Sequence, residues 1–150
     1  MGKTTAGVEV NCKAIKFRDF IIDNNLNAFS IETIDDEYHT VVFRSRIEAK
    51  GQLLPLAVLI DTSAFIIIRT QLVSGAAILK REKVQDYFNQ LNAKYKTFKY
   101  YYADDNTVFL DICIPSGDHN FDCNLVNFML RVLVEHLEKN YGNIMEQIWE

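Results

Sequence analysis

The sequence predicts an α+β domain built on one mostly antiparallel sheet, and three observations carry that prediction. Apolar segments come in runs joined by short polar turns, which is the signature of hairpins. Helical periodicity appears in only three places, before, between and after those runs, so helices do not alternate with every strand as in a doubly wound nucleotide-binding fold. No repeat, glycine-serine linker or charge block divides the chain, so residues 1–150 are expected to form a single domain.

Taken in order, Asn11 is the N-cap of a first helix in which Ala14, Phe17, Phe20 and Ile21 recur at helical spacing among Lys13, Lys16, Arg18 and Asp19. That helix is expected to end near Asn24 to Asn27. Ile31 and Ile34 mark a short strand, and Asp35-Asp36-Glu37 a turn. Val41, Phe43 and Ile47 then form one face of a strand whose other face carries Arg44 and Arg46. Lys50-Gly51 closes a hairpin into Leu53 to Ile60, apolar on both faces, with Pro55 limiting the start of its pairing. Asp61-Thr62-Ser63 turns the chain into Ala64 to Val73, where Phe65 to Ile68 are again apolar on both faces. Strands of this kind need cover on two sides, and a partner subunit is one source of it.

Ser74-Gly75 breaks the strand. Val84, Tyr87, Phe88, Leu91 and Tyr95 then form the stripe of an amphipathic helix. Thr97 to Tyr102 and Thr107 to Ile114 make a hairpin around Asp104-Asp105-Asn106, with Val108, Leu110, Ile112 and Ile114 on one face. After Pro115-Ser116-Gly117, a stripe from Val126 through Leu130, Leu133, Leu137, Tyr141 and Ile144 to Ile148 predicts a long last helix, with a break expected at Gly142. The predicted order is helix, about four strands, helix, two strands, long C-terminal helix.

The chain of 150 residues is 49% hydrophobic and 24% charged, with only six Gly and two Pro, which excludes collagen-like, low-complexity and disordered classes. Three cysteines without a C-x-x-C pair are not a disulfide scaffold and point to a reducing, cytoplasmic setting. The first residues lack the apolar core of a signal peptide, and the longest apolar run, Leu53 to Ile60, is too short for a membrane span. Net charge is -4, so the whole molecule lacks the field of a general nucleic-acid binder. That total hides a polarity: residues 80–102 carry six basic and two acidic side chains, and residues 103–150 carry two basic and nine acidic. The basic middle is complementary to the acidic end within one fold, to that of a second copy, or to an acidic segment of another protein.

The stretch Tyr87-Phe88-Asn89-Gln90-Leu91-Asn92, the strand containing Phe98, the acidic turn at Asp104-Asp105 and the strand ending Asp111-Ile112-Cys113-Ile114-Pro115 resemble the YbjN-like family of bacterial proteins. The residue-level match lies mainly in 84–115, and the order of elements agrees over the whole chain. The family core has three strands before the middle helix, against about four here. The resemblance implies a fold related to the dimeric type III secretion chaperones, no catalytic residues, no cofactor, and a role in binding or regulating other proteins. Members are described as sensory-transduction regulators.

Several residue groups carry side chains capable of chemistry. Gly2-Lys3-Thr4-Thr5 has the tail of a phosphate-binding loop without its upstream glycine and strand. Asp118, His119, Asp122 and Cys123 gather metal-ligating and nucleophilic types between the last strand and the last helix, the basis of a Cys-His or metal-dependent enzyme alternative. The plainer reading is a turn leading into an N-cap, with Cys123 packed as a small apolar residue. His39, in a strand, and His136, beside Glu135 and Glu138, read as solvated or hydrogen-bonded residues. Asp104 and Asp105 read as turn formers rather than an acid pair. Lys94 to Tyr102 interleaves cations with aromatics and is the basis of a single-stranded nucleic-acid-binding alternative. Alternation, however, puts Phe98, Tyr100 and Tyr102 on one face and Lys99 and Tyr101 on the other.

The leading expectation is a non-enzymatic protein-binding or regulatory domain, cytoplasmic and homodimeric, with a further protein partner, no membrane and no metal. Candidate interface residues are Tyr87, Tyr95, Tyr100, Tyr101 and Trp149, since large aromatics anchor interfaces.

Overall fold

The computed structural model describes residues 10–26, 28–74 and 81–149. The phosphate-loop-like residues 2–5 and Gly75 lie outside them. In chain order the elements are α1 (Cys12–Asp23), β1 (Ser30–Thr33), β2 (Val41–Ala49), β3 (Gln52–Ile60), β4 (Phe65–Val73), α2 (Arg81–Lys94), β5 (Lys99–Tyr102), β6 (Val108–Pro115) and α3 (Cys123–Trp149). The sheet is six-stranded, antiparallel throughout, in the order β1-β2-β3-β4-β6-β5. The predicted α+β class and element order are what the chain adopts.

Asn11 starts α1 by accepting a bond from the Ala14 N–H at 3.0 Å, in an extended conformation that keeps it outside the helix. Ala14, Phe17 and Ile21 are buried, and Phe17 meets Phe43 edge-on at 4.8 Å, which seats α1 on the β2 side of the sheet. The two-residue turn Lys50-Gly51 joins β2 and β3 with φ of 50° and 79°, the left-handed pair that suits the twist of a hairpin. Pro55 has no N–H to give; β3 pairs with β4 from Leu56 to Ile60 only, and the Thr70 hydroxyl donates to the Pro55 carbonyl at 2.9 Å. At the other hairpin, Thr107 N–H donates to the Asp105 carboxylate at 3.0 Å and Asn106 takes a φ of 64°, so the acidic pair serves the turn.

The three helices of the described residues pack on one face of the sheet. Phe88 of α2 lies 5.6 Å from Tyr100 and 5.5 Å from Tyr102, and His136 of α3 lies 5.9 Å from Tyr100. On β2, β3, β4 and β6, Phe43, Val58, Ile68 and Ile112 point to this side and are at most 1% exposed. Gly142 does not break α3, which is one helix of 27 residues; the residue is exposed within it. The end of the sheet is tied to α1 by Lys13, a fully buried lysine whose ammonium donates to the carbonyls of Ser63 and Ser116 at 2.7 Å and of Phe65 at 3.4 Å.

The β5 edge is closed by a side chain. Asn92 of α2 accepts from the Tyr100 N–H at 2.8 Å and donates to the Tyr100 carbonyl at 3.2 Å, occupying the place of a neighbouring strand.

Candidate functional site

Among the described residues no helix lies on the opposite face of the sheet, and the strand register lays its residues out in rows. Glu32, Val42, Leu59, Ile67 and Cys113 are paired in turn across β1, β2, β3, β4 and β6. The next row on the same face is Ser30, Arg44, Ala57, Arg69, Asp111 and Lys99, which also reaches β5. An apolar row therefore lies beside a charged one. Phe65 and Leu53, also on this face, are 50% and 64% exposed. A shallow depression of about 240 Å³ lies between the rows, with Val42, Ala57, Leu59 and Phe109 on its walls and Arg44 and Arg69 at its rim.

The charged row is organised. Arg69 grips Asp111 with two parallel bonds of 2.9 Å, from Nε to Oδ1 and from Nη2 to Oδ2. The Tyr101 hydroxyl donates to Asp111 Oδ2 at 2.9 Å, and burial, reinforced by that acidic neighbour, pushes its pKa up to about 12. The bond to Asp111 raises Arg69 above the usual arginine value. Arg69 also lies 5.3 Å from the Phe109 ring, and Lys99 sits 4.9 Å from the Tyr101 ring. On the far side Arg44 donates to Glu32 at 2.7 Å between two exposed side chains. The arrangement fixes charges in place for recognition. Nothing in it pairs a nucleophile with a base.

The five predicted interface aromatics do not gather. Tyr101 lies on the helix-free face, but Tyr87 is half-buried beside Phe88 on α2 and Tyr95 packs on His136 at 4.6 Å. Trp149 is 59% exposed on the last turn of α3. Tyr100 is a correction: at 2% exposure it belongs to the core, beneath Phe88 and hydrogen-bonded through its hydroxyl to His136 Nε2. His136 is likewise buried rather than a surface residue, and stacks on Phe98 at 4.0 Å. Burial holds its pKa down to about 4, so it is neutral at pH 7. His39 lies in the turn before β2, with a φ of 49°, not in a strand.

At 118–123 the turn reading describes the structure. The Asp122 carboxylate caps α3 by accepting from Asn124 N–H at 2.9 Å and Leu125 N–H at 3.3 Å. Cys123 packs against the core, and burial, followed by the Asp122 charge, raises its thiol pKa, the opposite of what activates a nucleophile. His119 and Asp118 are on the exposed loop. Among the described residues no three His, Cys, Asp or Glu side chains are placed to hold a metal ion, and no helix is long and apolar enough to cross a membrane. In the Lys94 to Tyr102 segment, Phe98 and Tyr100 lie under the helices, and Tyr102 packs against Phe88 and under Arg81 at 4.8 Å. Of the strand's aromatics only Tyr101 reaches the helix-free face.

The sequence pattern leaves Arg69 and Asp111 unpaired and sets Lys13 among the polar residues between the apolar positions of α1. One signal was there for Lys13: a cation in the first turn of a helix sits against the positive end of the macrodipole and needs another reason to be there.

No family model, curated protein or solved structure matches this chain.

Proposed function

We propose that this chain is a non-enzymatic protein-binding or regulatory domain of the YbjN-like kind, working in the cytoplasm as a homodimer, with the helix-free sheet face as its contact surface. One observation carries the reading: the half-buried Leu59 and Ile67 and the exposed Cys113 form an apolar row on a face that no helix among the described residues packs against, next to a row of fixed charges. Protein contact surfaces combine an apolar centre with a polar, hydrogen-bonding rim in this way. Leu53 and Phe65 add exposed apolar surface at its margins.

The test is affinity capture from the native host with the wild-type chain beside Leu59→Lys and Ile67→Lys, whose side chains are only half-buried. Proteins held by the wild type and released by both variants support the reading. Capture that is the same for all three chains, or no capture at all, refutes it.

A further inference from the structure

We propose that the groove between α2 and the edge of β5 binds the base of a nucleotide, holding it by a ring edge that presents a hydrogen-bond acceptor beside a donor. The groove lies on the side of the sheet that carries α2, and the proposal does not rest on the reading of the helix-free face.

Asn92 shows what this edge takes. Its carboxamide accepts from the Tyr100 N–H at 2.8 Å and donates to the Tyr100 carbonyl at 3.2 Å, so both backbone groups of Tyr100 point away from β6. An antiparallel ladder repeats every second residue, so the N–H and carbonyl of Tyr102, which is paired with Val108, point to the same edge. Among the described residues neither group has a hydrogen-bond partner, and the Tyr102 hydroxyl is buried without one as well. Unmet polar groups gathered on one residue mark the place of a ligand or an ordered water.

The groove has a volume of about 350 Å³, within the range of small-ligand sites. Phe88 and Tyr102 are among its walls, and Gln85 and Asn89 line its α2 side, on the same face of the helix as Asn92. Both carboxamides are exposed and neither forms a side-chain hydrogen bond among the described residues, so a group in the groove meets donors and acceptors on its second edge too. A group that lies against Tyr102 as Asn92 lies against Tyr100 must set an acceptor beside a donor in one plane. The lining residues are amides and aromatics without formal charge, so the part held there is neutral. Its surroundings are basic: residues 80–102 carry six basic and two acidic side chains, Arg81 lies 4.8 Å from the Tyr102 ring, and Lys99 lies 4.9 Å from the Tyr101 ring. A neutral planar ring with an acceptor beside a donor, joined to an anion, is a nucleotide. An added β-strand is the poorer fit, because it needs successive backbone pairs along the edge and Asn92 already holds the pair at Tyr100.

Titration calorimetry of the full chain with the four ribonucleoside monophosphates should give a Kd below about 1 mM for at least one of them. Methylating that nucleotide on the ring nitrogen of its acceptor–donor edge should weaken binding at least about tenfold, and so should Gln85→Leu combined with Asn89→Leu, both at exposed positions. Ribose phosphate, which has no base, should not bind. In the nitrogen-labelled chain the Tyr102 amide resonance should shift on binding, and that of Ile67, on the helix-free face, should stay in place. No binding at about 10 mM overturns the proposal. So does equal affinity for the methylated nucleotide, equal affinity for ribose phosphate, or a bound nucleotide that leaves the Tyr102 resonance unmoved. If the base is bound, a strand of about eight nucleotides held at least about tenfold tighter than the monophosphate identifies single-stranded nucleic acid as its source, and equal affinity identifies a free nucleotide; both uphold the site.

Discussion

The two faces of the sheet are made from the same strands and mostly from the same kinds of residue, yet they end in different environments. In β4, Ile66, Ile68 and Thr70 point beneath the helices and are 1%, 0% and 0% exposed, whereas Ile67, Arg69 and Gln71, alternating with them, are only half-buried. Side-chain type does not explain this, because Ile67 and Ile68 are identical. The layer of helices does. The polar groups differ in the same way. Under the helices, charge is either absent, as in neutral His136, or handed to backbone carbonyls, as in Lys13. On the open face charges are kept and paired, as in Arg69 with Asp111, where two bonds from the partly exposed arginine and one from Tyr101 hold the buried carboxylate.

The sharpest way to probe that contrast is to truncate neighbours in one strand. Ile68→Ala is expected to cost about 4 kcal/mol in denaturant unfolding, as for a fully packed core position, and Ile67→Ala only about 1 kcal/mol in the monomer. Equal losses would mean that the two faces are buried alike.

Lys13→Met should cost about 3 kcal/mol, because three carbonyls lose a charged donor, although the substitution keeps the apolar stem. A loss below about 1 kcal/mol would mark the lysine as incidental.

His136 gives the covered face a pH dependence. Its folded pKa of about 4 lies below the ordinary 6.5, so the unfolded chain takes up the proton first as the pH falls. Stability from this group is complete above pH 6.5, declines between 6.5 and 4, and changes no further below that. Between pH 7 and 4 the wild type should lose about 2 kcal/mol more than His136→Phe. Parallel pH profiles for the two chains would contradict the assignment.

On the open face, Arg69→Met should cost about 2 kcal/mol by leaving the Asp111 carboxylate without its cation, and Arg69→Met with Asp111→Leu should recover most of that loss. A double variant no better than the single one would show that the pair itself, and not the stranded charge, matters. The smallest effect belongs to Leu53→Ser, at 64% exposure, expected to change stability by less than about 0.5 kcal/mol.

Much of the architecture was legible because it is written locally. Asn11 before an apolar helical stripe, Lys50-Gly51 between alternating strands, and Asp122 before the last helix each carry their own short-range reason. Apolar residues on both faces of β3 and β4 also announced that a second face would need explaining. The rest depends on partners distant in the chain. Asn11 also donates to the carbonyls of His39 at 3.0 Å and Ile60 at 2.8 Å, which no local pattern encodes. Tyr100 was misassigned because an aromatic in a strand looks the same whether a helix covers it or not. His136 had a readable clue, since it lies three residues after Leu133, next to Leu137 on the buried stripe, but the flanking glutamates drew it to the surface. The Arg69–Asp111 pair joins residues 42 apart, visible only once β6 is known to lie beside β4.

Lys13 also bears on how the chain comes to be folded during synthesis. Its ammonium is held by Ser116, 103 residues later, and β6, which ends at Pro115, must slot between β4 and β5. The first helix therefore leaves the ribosome long before its anchor exists, and β4 waits for its neighbour while α2 and β5 are made. At about 5–20 residues per second the wait of the helix lasts roughly 5 to 20 seconds and that of β4 roughly 2 to 8 seconds. During that time both faces of β4, not one, are without cover, which makes the nascent chain a more adhesive object than the finished domain.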